Sequence, residues 1–180
     1  MPIPGIIASQ ISGHLTPPDT GAMFPLGMVS VGSAGAADVT FSSIPSTYTH
    51  LQIRCLVQAN TSGNSALSLN YNSDTTASNY YRHALLGDGS SASTQAAQQF
   101  YAGVITDNAW AVNIIDILDY KNTNKYKTTR VLGGRENNST GAVFFTSHLW
   151  MNTNAITTIK VLPAAANFVQ YSSIALYGIK

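Results

Sequence analysis

Asp116 and Asp119, in the run NIIDILDY, are the nearest this chain comes to the paired carboxylates that general acid–base chemistry uses. Their spacing works against it. The run alternates like a strand, and residues three apart on a strand point to opposite faces. Asp119 reads instead as the start of a polar turn, DYKNTNKYK. Asp116 is placed to pair with Arg130 or Arg135 on a neighbouring strand, a contact worth at most about 1 kcal/mol if exposed. The four histidines, 14, 50, 83 and 148, fall one per region, without the i, i+4 spacing or the two-histidine, one-carboxylate grouping of a metal site. His148 shares a strand face with Trp150 and reads as a packed or interface histidine. The single cysteine, Cys55, excludes an internal disulfide and, lying among Leu51, Ile53 and Val57, reads as a small buried hydrophobe. The glycines of LGDGSS (86–91) lack the Lys-Ser/Thr of a phosphate loop and mark a turn. No catalytic residue, metal or cofactor is expected, and the chain does not read as an enzyme.

Five of the nine cations, Lys121, Lys125, Lys127, Arg130 and Arg135, crowd into fifteen residues with Tyr120 and Tyr126 among them. Such interleaving can be a nucleic-acid footprint. Here acids at 107, 116 and 119 precede it and Glu136 follows, so a solvated hairpin is the expectation. A net charge of +1 also gives no general electrostatic hold on nucleic acid.

The elements that would carry these residues are short alternating runs. MVSVG (28–32) and ADVTFSS (37–43) read as a first hairpin, and THLQIRCLVQ (49–58) is the clearest strand. Further runs follow at 65–71, 79–87, 98–104, 111–120, 126–135, 142–151, 155–162 and 169–179, each bounded by Gly, Asn, Ser or Pro. STQAAQQFYAG is the one helical candidate, read as a helical turn or a strand. About ten strands rich in β-branched and aromatic residues predict an all-β fold, an antiparallel β-sandwich of jelly-roll type over 28–180.

Residues 1–27 stand apart. They hold one acid, Asp19, no Lys or Arg, and five of the seven prolines. The segment does not read as a signal peptide, and no run approaches the ~18 apolar residues of a membrane span. It reads as an extended arm. Ordering its backbone costs more than burying Ile3, Ile6, Ile7, Ile11 and Leu15 returns, so it needs hydrogen bonds from a partner surface. Those five, with Phe24, are the expected partner-binding residues; the competing expectation makes GIIASQI an edge strand of the sandwich. Charged residues make up only 9 % of the chain, which leaves little repulsion between copies and favours assembly. The run 142–151 is apolar on both faces, and a strand of that kind is buried on both sides. Phe144, Phe145, His148 and Trp150 are the expected contacts of a homotrimer.

Three segments, VTFSSIPSTYTHLQIR (39–54), HLWMNTNAITTIKVLPAAANF (148–168) and the closing SSIALYGIK, together with the opening MPIPGIIASQISG, resemble small structural proteins of tailed bacteriophages, including cyanophages. The likeness covers most of 28–180. It implies a β-sandwich scaffold in a virion and supplies no catalytic residue. The expectation that follows is a capsid cement or decoration protein on the capsid exterior. It would be made in the host cytoplasm and bind major capsid protein subunits, not nucleic acid or membrane. The alternative is a receptor-binding or tail-fibre module that reads host glycan with Tyr71, Tyr80, Tyr81 or Trp110 as aromatic platforms.

Overall fold

Period-two alternation, broken by turns of Gly, Asn and Ser, becomes strand almost everywhere in a computed structural model of the chain, which describes residues 22–61, 64–98, 100–106, 109–138 and 140–180. The strands are β1 (Met23–Ser30), β2 (Val39–Phe41), β3 (His50–Val57), β4 (Asn64–Tyr71), β5 (Tyr80–Gly87), β6 (Ala92–Ala97), β7 (Tyr101–Thr106), β8 (Ala111–Leu118), β9 (Lys127–Arg135), β10 (Ala142–Trp150), β11 (Ile159–Pro163) and β12 (Ser173–Ile179). Among the described residues the helical content is one 3-10 turn, Ala77–Asn79.

Two antiparallel sheets result, one ordered β1-β12-β3-β8-β9-β10-β5-β6 and the other β2-β11-β4-β7. With the hairpins β5–β6 and β9–β10 set aside, the other eight strands pair first with last, β1 with β12, then β2 with β11, β3 with β8 and β4 with β7. That is one long hairpin folded over on itself, the jelly roll. The chain is therefore an all-β sandwich of the expected type. Its two extra hairpins leave the roll after β4 and after β8, and both extend the same sheet beyond β8.

Alternation places one frame of the central strands in the core. Leu51, Ile53, Cys55 and Val57 of β3 and Ile115 and Ile117 of β8 face Leu67, Leu69 and Tyr71 of β4 and Ile159 and Val161 of β11. A side chain of this size, fully buried, contributes about 1.5–3 kcal/mol. Of the polar side chains buried in the subunit, one joins the two sheets. Asn113 of β8 accepts from the Val104 N–H at 3.0 Å and donates to the Val104 carbonyl at 2.8 Å. Val104 lies on β7, the edge of the small sheet, so the amide satisfies backbone groups that have no further strand to pair with among the described residues. The amide fits because Gly103 and Gly133 flank it: a Cβ on either would stand 2.4 Å from Asn113 Oδ1.

The structure corrects several sequence expectations. Residues 28–43 are not a hairpin: β1 pairs with β12 and β2 with β11, in opposite sheets. The first sheet strand begins at Met23, so residues 23–27, including Phe24, run in β1 and not in an arm. Pro25 is tolerated there because β1 is an edge strand and its register shifts between Pro25 and Gly27. Of the two alternatives for STQAAQQFYAG (93–103), the strand holds at both ends, in β6 up to Ala97, templated by β5, and in β7 from Tyr101. Residues 155–158 cross between sheets without pairing as strand, Ile156 buried and its N–H bonded to the Tyr120 carbonyl. Residues 1–21, and with them Ile3, Ile6, Ile7, Ile11, Leu15 and the edge-strand alternative, lie outside the described residues.

Candidate interaction surface

The residues with chemistry in them are dispersed. Among the described residues, no three His, Cys, Asp or Glu side chains come together in a metal-holding group, and no helix is long and apolar enough to cross a membrane. Cys55 is buried with its thiol donating to the Asn113 carbonyl at 3.6 Å. Burial pushes that thiol up to about 12, against the smaller lowering effect of its bonds to Asn113, so it is protonated and unreactive at neutral pH. Asp119 ends β8 with φ +49° and binds Lys125, whose hydrogen bond holds its carboxyl below the usual range. His50 Nδ1 accepts from the Asp119 N–H at 2.9 Å, which occupies that nitrogen in a turn contact. The basic stretch is split by the fold. Lys127 is fully buried, its ammonium held by the carbonyls of Asn122, Lys125 and Thr153 at 2.6, 3.1 and 3.0 Å, while Arg130 lies exposed on the sheet. The expected solvated hairpin is thus corrected at Lys127, which ties its loops together from inside.

The four expected interface residues divide by strand face. Phe144, His148 and Trp150 point inward. Trp150 and His148 are buried with Tyr71 and Tyr80, the Tyr80 and His148 rings stacked at 5.5 Å. The Trp150 indole donates to Asp74 Oδ2 at 2.8 Å. Burial alone would raise the Asp74 carboxyl, but that bond and those from Asn79 and Thr76 together hold it below its ordinary value. Phe144 is half-buried against the core. As oligomer contacts, His148 and Trp150 are therefore corrected to core residues of the subunit itself, and Phe144 faces the same way but stays partly exposed; Phe145 alone of the four faces outward, 48 % exposed. Phe24 is also held within the subunit: its ring lies 5.6 Å from that of Tyr48, and Lys180 Nζ sits 4.9 Å above it. Of the aromatics considered for glycan, Tyr71 and Tyr80 are fully buried, while Trp110 is exposed.

Phe145 belongs to a larger feature. On the outer face of the eight-stranded sheet, register places Ile114, Leu132, Phe145 and Leu85 in one row across β8, β9, β10 and β5. The adjacent row holds Leu56, Val112, Gly134 and Val143. Leu56, Leu85, Val112, Leu132 and Val143 are all exposed large hydrophobics, between 42 % and 59 %. Soluble monomers rarely leave a contiguous apolar field of this kind uncovered. Shallow grooves flank it, one over β5, β6 and β10 and one over β3, β8 and β12, with Leu132 standing between them.

The third row is polar. Gln52 Nε2 donates to Asp116 Oδ1 at 2.7 Å and Arg130 stands opposite Asp116; Arg54, opposite Ile114 at the β3 end of the first row, turns its Nε to donate to Gln52 Oε1 at 2.8 Å. Arg54 also lies over the Tyr177 ring, 5.7 Å from its centre. Its cation is therefore turned along the polar row, away from the apolar ones. Sequence reading missed Leu56, Leu85, Val112, Leu132 and Val143. A signal was there: each occupies the nominally solvent-facing frame of its strand, where a polar residue is expected.

Set against known protein families, characterised proteins and solved structures, the chain matches none.

Proposed function

We propose that this chain is a structural protein of a tailed-phage virion, a cement or decoration protein that lies on the capsid exterior as a homotrimer and contacts major capsid protein subunits. One observation carries the reading: the broad sheet of the jelly roll turns an apolar field outward, with a few charges, Arg54, Asp116 and Arg130, along one side of it, and a face of that kind suits lasting contact with protein. The scarcity of charge, 17 of 180 residues, points the same way, and so does the dispersal of the chemically capable side chains. The resemblance of segments 39–54 and 148–168 to phage structural proteins supplies the setting. In this reading the apolar segment before β1 is the clamp on the shell. The glycan-reading alternative has less support, because Tyr71 and Tyr80 are enclosed in the core.

The test removes residues 1–15. Thermal unfolding and co-sedimentation with shells of the major capsid protein from the same genome are measured on one sample. The expected outcome is an unchanged thermal midpoint with loss of shell binding; three tethered arms bind far more tightly than one, so losing all three should abolish it. Full occupancy of shells by the truncated protein would discard the clamp, and absence of shell binding by the intact chain would discard the function.

A further inference from the structure

The outer face of the eight-stranded sheet needs an occupant, and we infer that it is a neighbouring copy of this same chain. The inference rests on the reading of the chain as an assembling structural protein. It adds which surface joins the copies.

Size is the first argument. Eight strands about 4.8 Å apart and about eight residues long cover about 1,000 Å² in projection. A stable protein interface needs about 800 Å² from each partner. The apolar rows run across β3, β8, β9, β10 and β5 from the middle of these strands to one end, with Leu56, Leu85, Val112, Leu132, Val143 and Phe145 all standing out from the sheet. A flat sheet face is best covered by another, since two twisted sheets pack closely at about 30° and about 10 Å apart. Every copy of the chain brings such a face.

Charge is the second. The polar row beside the apolar ones holds an acid, Asp116, and a base, Arg130, and a second base, Arg54, reaches into it from the β3 end of the first apolar row, where it stands opposite Ile114. A face carrying both signs can meet its own kind with opposite charges opposed, which a face of one sign cannot.

Timing is the third. A chain of net charge +1 has little repulsion to keep exposed apolar faces apart in solution. Whatever covers this face must be present as soon as the chain folds, before any shell exists to receive it. The one protein sure to be present then is another copy.

The experiment measures the mass of the full chain by light scattering at micromolar concentration, alone and with the double substitution Leu132→Glu, Phe145→Glu. Both side chains are exposed, so the fold should survive, and the urea midpoint is recorded to confirm it. A Tyr126→Asp variant, changed at an exposed turn residue off this face, is the control. The expected result is an oligomer for the parent chain and the control, and a mass of 19.1 kDa for the double variant. Should the double variant fail to fold, the milder Leu132→Ser is used, with at least a tenfold weaker self-association expected. A parent chain of monomer mass overturns the inference, as does an oligomer unmoved by either variant. Shell co-sedimentation on the same samples separates the two readings. A parent monomer that still binds shells overturns this inference and the homotrimer, and leaves the cement role itself standing. An oligomer that dissociates on substitution but never binds shells does the reverse.

Discussion

At the scale of single residues, Asn113 does the most with the least. It links the sheets through both backbone polar groups of Val104, on a strand with no further neighbour among the described residues. Asn113→Ala leaves a buried N–H and a buried C=O unpaired, each costing about 1–3 kcal/mol, so the total loss is about 2–6 kcal/mol. Urea denaturation reads this directly. Gly133→Ala should also destabilise the parent chain, because the new Cβ meets Asn113 Oδ1 at 2.4 Å. Once the amide is gone that collision is gone too, so the double variant should lose less than the two singles combined. Additive losses would show that the glycine serves some other contact. Little of this is legible in the sequence. Alternation in AVNIIDIL puts Asn113 in the buried frame, but nothing local says which backbone of the other sheet it will bond. Cys55 is the opposite case: its strand gives strict alternation, and the sequence alone places it in the core.

At the scale of elements, legibility followed the range of the pairing. β3, β8, β9 and β10 carry their own alternation and were readable nearly to their ends. β1 and β2 look like a hairpin because two short runs flank a Ser-Ala-Gly-Ala turn, yet their true partners, β12 and β11, lie more than a hundred residues along the chain. The jelly-roll corner between them is a long-range decision that no local pattern encodes. β6 was hidden for another reason. Its Ala, Gln, Ser and Thr have no apolar frame, and it is a strand because β5 offers it a ladder. A strand held by one neighbour and covered by almost nothing should open first. Native-state hydrogen exchange should find the amides of Ala92–Ala97 at least about tenfold faster than those of β3 and β8, which are paired on both sides. Equal protection would mean that another chain lies along this edge.

At the scale of the whole molecule, the fold class was readable from composition and turn spacing, and the outer face was not, because it is assembled from single residues on strands far apart in sequence. The chain's scarcity of charge sets how its assembly should respond to salt. Going from about 0.1 to 1 M NaCl shortens the screening length from about 10 to about 3 Å. An association carried by Leu132, Phe145 and their neighbours should persist or strengthen across that range in light scattering. Dissociation would transfer the main contact to Asp116, Arg54 and Arg130. The pairing of first strand with last has a mechanical consequence. Met23 lies opposite Ile179, so the chain enters and leaves the roll side by side at one end of the β1–β12 ladder. A pull on both ends at once opens that ladder like a zipper, one bonded pair after another, under little force. A pull on the entering chain alone, resisted at the far end of the sheet, loads all the pairs together in shear. A tether through the segment before β1 therefore sets the body up to resist strain in one direction and to yield in the other.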